Sequence, residues 1–407
     1  MKKELCALLT TTMLTTCLGT AIAAPVDGSE APAPEKTAIT EPAEQNADKM
    51  PAAELTEAAS TETEQKPAAE ITEATPIKEA APLIVKVDGQ ALKLDQPPVI
   101  QDGRTLVPLR AIFEALGARV QWDAESQSVT AEKRFTDISL VIGHNKLFIN
   151  GDEKALDVPA QIIEGRTMVP VRAISEAFGA KVDWNASTGT VTIDSVQTGA
   201  HAITDKYLYA TAKTKDGSKT FYTASAAYPV LANPDGSTVI AAINTEMKKA
   251  AEDYIAYVQK TVADMDADPE MLPAPYEFDL RYDVTYDQDG RLSFCTKAIE
   301  YTGGAHPNTI MTGKTFDTTL GKELALTDVL KGTKEEVNKQ VIDGFTALID
   351  KNAEEYFSDA KDTLAKEIDN AGFYLTKDGV VVYFQLYTLQ PYAAGFSTCT
   401  LPFPATK

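Results

Sequence analysis

Two hydrophobic periods recur along this chain. Phe278, Leu280, Tyr282, Val284 and Tyr286 alternate with polar neighbours, which predicts a half-buried strand. Ile240, Ile243, Met247, Ala251, Tyr254 and Val258 instead fall on one face of a helix. Asp287-Gln288-Asp289-Gly290 is a turn that folds the first strand into a second through Leu292 and Phe294. After Thr315-Phe316-Asp317 come a turn at Leu320-Gly321, a helix start at Thr327-Asp328 and charged helices from Lys334 to about Asp369. Phe373 to Thr376 and Val380 to Leu386 pair across Lys377-Asp378-Gly379, and Phe396 to Leu401 adds a last strand. Residues 207–407 are therefore expected to form an antiparallel sheet with helices on one side, and the chain to be of the α+β class.

Upstream, the pattern is written twice. Gly103-Arg104-Thr105-Leu106-Val107-Pro108-Leu109-Arg110-Ala111-Ile112 returns 62 residues later as Gly165-Arg166-Thr167-Met168-Val169-Pro170-Val171-Arg172-Ala173-Ile174. The echo runs on through Glu114-Ala115, Gly117-Ala118 and Trp122, matched by Glu176-Ala177, Gly179-Ala180 and Trp184. Such a period marks a duplicated packing unit. Each copy opens with a strand (Ile84 to Val87 in the first) and a turn at Asp88-Gly89. A proline at the first turn of a helix follows, then an apolar stripe (Leu109, Ile112, Phe113, Leu116) and a glycine where a left-handed cap belongs. The duplicated strand/helix module spans residues 83–195 and resembles the copper amine oxidase N-terminal-like domain of exported bacterial proteins. The resemblance implies no copper chemistry, since His144 is its only histidine. Arg110 and Arg172 read as anchors for a loop carboxylate or carbonyl rather than as ligand-binding cations.

Residues 1–23 have the form of an export signal, with Lys2 and Lys3, a Thr-rich apolar stretch and Ala21-Ile22-Ala23 as a cleavage site. Acylation at Cys17 is the competing arrangement. Residues 24–82 are rich in Ala, Pro, Glu and Thr without an aromatic residue, the composition of a disordered acidic linker that spans on the order of 40 Å. With the signal removed, no segment is apolar enough to span a bilayer, so the expected location is the cell envelope, periplasmic or extracellular. A formal charge of −21 argues against nucleic acid and favours either a basic partner or simple solubility. Outside the leader only Cys295 and Cys399 remain; an exported pair fits a disulfide, and two buried free thiols fit equally.

Gly303-Gly304-Ala305-His306-Pro307-Asn308, Leu324 to Asp328, and Tyr387-Thr388-Leu389-Gln390-Pro391-Tyr392-Ala393-Ala394-Gly395 occur in the order of a second domain. With Tyr228-Pro229-Val230 and Ile243-Asn244 upstream, they resemble the DUF4163 and DUF3298 domains of unknown function. Those accompany the lysozyme-sensing anti-sigma factor of bacilli and certain peptidoglycan deacetylases. The resemblance implies an envelope-facing recognition domain whose partner is peptidoglycan or a basic extracellular protein such as lysozyme. The candidate ligand-binding residues are Tyr301, Gly303, Gly304, His306, Asn308, Tyr387 and Tyr392. His144, His201 and His306 stand alone in sequence, and neither a zinc motif nor a Gly-x-Ser-x-Gly elbow occurs, so no metal, cofactor or catalytic residue is assigned. The expected function is non-enzymatic binding; the alternative is a peptidoglycan-active enzyme or its accessory subunit.

Overall fold

The computed structural model describes residues 83–195, 199–265, 268, 272 and 274–404. The export signal and the linker read in residues 1–23 and 24–82 lie outside the described residues. Contacts divide the chain into two units that part between residues 196 and 197.

The first unit holds β1 (Ile84–Val87), β2 (Gln90–Ala91), β3 (Val99–Gln101), β4 (Arg104–Pro108), α1 (Leu109–Ala115), β5 (Arg119–Asp123) and β6 (Ser128–Lys133). After β7 (Thr136–Val141) the series repeats as β8 (Lys146–Ile149), β9 (Asp152–Ala155), β10 (Gln161–Ile163), β11 (Arg166–Pro170), α2 (Val171–Ala177), β12 (Lys181–Asn185) and β13 (Thr190–Asp194). The two copies share a sheet in the order β10-β11-β4-β3, and Val107 pairs with its own counterpart Val169 at its centre. An internal two-fold axis passes through that pair. The copies also exchange ion pairs: Arg104 Nε meets Asp157 at 2.6 Å, and Arg166 Nε meets Asp95 at 2.6 Å. The loop-anchoring role expected of Arg110 and Arg172 thus belongs to Arg104 and Arg166. Arg110 and Arg172 are exposed and reach only Glu114 (3.4 Å) and Glu176 (4.0 Å) one turn along their own helices.

Two further sheets complete the unit, β5-β6-β7-β8-β9 and β12-β13-β1-β2. In the second, the opening strand β1 lies parallel to the closing strand β13, from Ile84 opposite Thr190 to Val87 opposite Ile193. The Asp88 carboxylate then accepts from the Ser195 backbone N–H (2.8 Å) and hydroxyl (2.7 Å). Val85, Val107, Ile112, Phe113, Val169 and Ile174 lie in one buried core, with Phe113 and Phe178 edge to face at 5.0 Å.

The second unit is α+β, as expected, but its strands form two sheets. β14 (Ile203–Lys213) and β15 (Thr220–Leu231) lead into α3 (Thr238–Ala263), which Ser237 caps through Ile240 N–H. β16 (Tyr276–Gln288), β17 (Arg291–Tyr301), β18 (Asn308–Asp317) and β19 (Lys322–Glu323) complete a six-stranded sheet in chain order. It is not wholly antiparallel: β15 and β16 run parallel, because α3 returns the chain to the end from which β15 started. Ala251, Tyr254, Ile255 and Val258 of α3 share a core with Phe278, Leu280 and Ala298 of the sheet.

The chain continues through α4 (Leu326–Leu330), α5 (Lys334–Lys351) and α6 (Ala360–Glu367). It ends in a three-stranded sheet of β20 (Gly372–Thr376), β21 (Gly379–Phe384) and β22 (Ser397–Leu401). Val341 and Phe345 of α5 pack on this sheet, with Phe345 edge to face on Phe384 at 5.1 Å. Of the two arrangements open for the cysteine pair, the structure has the free thiols. Cys295 lies on β17 and Cys399 on β22, in different sheets, and both are buried free thiols. Burial pushes the Cys295 thiol up to about 12, which leaves it protonated and inert.

The two sheets meet at Gly313. Any side chain there would collide with the Phe373 carbonyl of β20. The Gly313 N–H donates to the Tyr383 hydroxyl (2.8 Å), which donates to the Met311 carbonyl (3.2 Å). Gln385 holds Met311 from both sides, accepting from its N–H (3.1 Å) and donating to its carbonyl (2.7 Å). Gly313→Ala is therefore expected to destabilise the second unit by about 2 kcal/mol, within the range for overpacking at a rigid contact. Denaturant unfolding monitored separately for each unit checks this, and the duplicated module should keep its transition unchanged.

Candidate functional site

β17 and β18 are joined by the glycine loop, residues 302–307. Gly303 sits at φ +85°, in a region that suits glycine, and with Gly304 it forms an exposed apex. Across the sheet junction, β21 runs on into the segment from Tyr387 to Gly395. Leu389 is fully buried and anchors that segment. The buried Gln390 amide donates to the carbonyls of Ala394 (2.9 Å) and Gly395 (3.3 Å), fixing the bend. The two segments bring His306, Tyr387 and Tyr392 together.

The His306 ring stacks on Tyr392, with centroids 3.6 Å apart and planes 20° from parallel. Its Nδ1 lies 3.0 Å from the Pro307 carbonyl, which can only accept, so Nδ1 carries the proton. In the neutral ring Nε2 then accepts from the Tyr387 hydroxyl at 3.0 Å. The Tyr392 hydroxyl donates to the same Pro307 carbonyl at 3.0 Å. Every ring is therefore held by a hydrogen bond as well as by its neighbours. Tyr387 is 50 % exposed and adopts φ +64°. That left-handed backbone costs an aromatic residue on the order of 1–2 kcal/mol. Strain of this kind persists where the surroundings over-determine the position, as they do at binding sites.

Of the other sequence candidates, Asn308 is exposed at the root of the loop, opposite Glu300. Tyr301 is half-buried on β17 opposite Glu277. Neither belongs to the ring cluster. Three of the candidates, His306, Tyr387 and Tyr392, thus share one aromatic surface.

Two groups escape a reading by motif. Glu300 falls on the apolar face shared with Ala298 and Phe278, and burial pushes its carboxyl up to about 7 against the lowering effect of a hydrogen bond from Asn308. Its Oε1 is buried and unpartnered, as is the Tyr254 hydroxyl on α3. An acidic residue in step with an apolar stripe was the available signal. The second group is His201, solitary in sequence, whose Nδ1 meets the buried Asp287 carboxylate at 2.6 Å while its N–H donates to the other carboxylate oxygen at 2.7 Å. This pair ties the start of the unit to β16. Among the described residues, no group of three or more His, Cys, Asp or Glu side chains is placed to share a metal ion.

Comparison with known proteins assigns each region. Residues 86–193 match the copper amine oxidase N-terminal domain, residues 216–309 the family described as deacetylase PdaC, and residues 327–404 the DUF3298 family of unknown function. This combination is that of extracellular, cell-envelope-associated proteins. A curated relative named a protease inhibitor, from Brevibacillus choshinensis, is 28% identical over 148 residues, which are 36% of this chain and 43% of the relative. The match thus spans less than half the length of that protein. A DUF3298 structure from Bacteroides fragilis aligns at 21% identity over 50% of this chain and 91% of its own, with a TM-score of 0.39. A second, from Pseudomonas aeruginosa, aligns at 18% identity over 49% of this chain and 91% of its own, with a TM-score of 0.36. No helix among the described residues is long and apolar enough to cross a membrane.

The strain at Tyr387 gives a direct test. Asparagine tolerates left-handed backbone, so Tyr387→Asn is expected to raise the stability of the second unit by roughly 0.5–1 kcal/mol. A thermal melt reads the change; a clear loss of stability would make Tyr387 a structural residue instead.

Proposed function

We propose that this protein is a non-catalytic binding protein of the cell envelope, and that its second unit holds a basic extracellular protein such as lysozyme, or peptidoglycan, at the surface formed by His306, Tyr387 and Tyr392. The observation that carries this reading is the exposed ring cluster, fixed by hydrogen bonds and kept at a cost in backbone strain. Rigid tyrosines supply contact area with little loss of conformational freedom, on either a protein or a sugar ring. The acid excess of the chain, −21, favours encounter with a cationic partner. The name of the Brevibacillus relative supports a protein as the thing bound. In this reading residues 24–82 act as a tether and the duplicated module as a scaffold or wall-binding unit.

A second reading draws on the match of residues 216–309 to the family described as deacetylase PdaC: an enzyme acting on peptidoglycan, or a subunit that accompanies one. Cell-wall sacculi incubated with the protein distinguish the two. Release of sugar or acetate that His306→Ala abolishes would establish turnover.

Calorimetric titration with lysozyme and with soluble muropeptides tests the preferred reading. Binding of one of them is expected, and Tyr392→Ala should weaken it at least tenfold, the loss typical of a central aromatic contact. Titrations silent for both ligands would remove the reading.

A further inference from the structure

Glu300 is the last residue of β17 paired with β18; its partner Asn308 is the first residue of β18, and the glycine loop begins beyond them. The carboxyl therefore sits at the hinge of the loop that presents His306. It lies on the α3 face of the sheet, where the register neighbours Phe278 and Ala298 belong to the apolar core. One oxygen is engaged by Asn308, whereas Oε1 is buried and has no partner. The titratable groups facing it from α3 are the phenols of Tyr254 and Tyr257, both raised by burial and by the Glu300 charge. From β16, opposite, comes Phe278, with Asp279 next in sequence and engaged by Arg281 and the Ser225 hydroxyl.

Burial disfavours a charge on Glu300 and outweighs the hydrogen bond from Asn308, which favours one. The core removes water, and the tyrosine hydroxyls sit in the same apolar layer. A neutral carboxyl suits the position. A carboxylate gains hydration by turning out of this layer, and turning out breaks its side-chain bond to Asn308, the first residue of β18.

We propose that Glu300 is a latch: enclosed and neutral, it holds the glycine loop against Tyr387 and Tyr392, and ionised, it swings out, frees the loop and dismantles the ring cluster. This rests on the ring cluster being the binding surface, and it adds regulation to that surface. The direction follows from the proton balance. The closed loop holds the proton up to about pH 7, whereas a solvated glutamate releases it at 4.5. Closure is therefore fully favoured below about 4.5 and is lost as pH rises through about 7. The two values limit the effect to about three hundredfold in the opening equilibrium.

Amide hydrogen exchange of the whole chain, from about pH 5.5 to about 8.5 and normalised to the intrinsic rates, tests the latch without any partner. Those amides of Asn308 to Ile310 that donate to β17 should lose protection with a midpoint near pH 7, while Val382 on β21 stays protected. Glu300→Gln should hold the loop closed at every pH. Carbon NMR of the Glu300 carboxyl in the unaltered chain gives the same answer where that variant fails to fold. A midpoint near 4.5, or a pH profile that Glu300→Gln retains, would overturn the latch. Partner titrations at about pH 6 and about pH 8 separate the two ideas. Equal affinity at both sinks the latch and spares the binding surface; silence at both, with the exchange profile intact, does the reverse.

Discussion

A missing side chain sets the geometry of the second unit. Because Gly313 has no Cβ, the Phe373 carbonyl can rest on β18, and the small sheet docks against the large one. Tyr383 and Gln385 then satisfy the backbone of Met311 and Gly313 across the gap. These bonds are buried or partly buried, so leaving them unmade would be expensive. The junction fixes the distance between the loop after β17 and the segment after β21. The rings of His306, Tyr387 and Tyr392 come from both sides of it, and their stacking follows from that spacing. The site is thus a product of sheet packing and not of either segment alone.

The duplicated module uses another economy. Its two copies share one central strand pair and exchange equivalent ion pairs. Those pairs are exposed, and exposed pairs contribute little free energy. Their effect is on register: each arginine finds its carboxylate only when Val107 lies opposite Val169. Stability comes from the core that both copies line, including Ile112, Phe113 and Ile174, each fully buried.

Much of this could be read from the residues. The 62-residue offset located both helices, the α3 stripe named its buried face, and Asp287 to Gly290 marked a real hairpin turn. The exchanged pairs were also visible in principle, since Asp95 and Asp157 repeat at the same offset as Arg104 and Arg166. What stayed hidden depends on distance between segments remote in sequence. β14 and β15 are ragged in hydrophobic pattern; Pro229 lies on β15 past Ala226, the last residue paired with β16, where its missing N–H costs that ladder nothing. The number of residues between Cys295 and Cys399 cannot say that they occupy different sheets. The candidate tyrosines and His306 were named from their motifs, but only the fold shows which of them touch.

The pairing of β1 with β13 bears on how the first unit would respond to load. The chain enters at the start of β1 and leaves at the end of β13, and the two strands point the same way. Tension drawn between those ends slides one strand along the other instead of peeling them apart. All the bonds of the ladder, together with the clasp of Asp88 on Ser195, must then yield at once. A protein joined at one end to a wall and at the other to a captured partner would carry force through this unit in its most resistant direction.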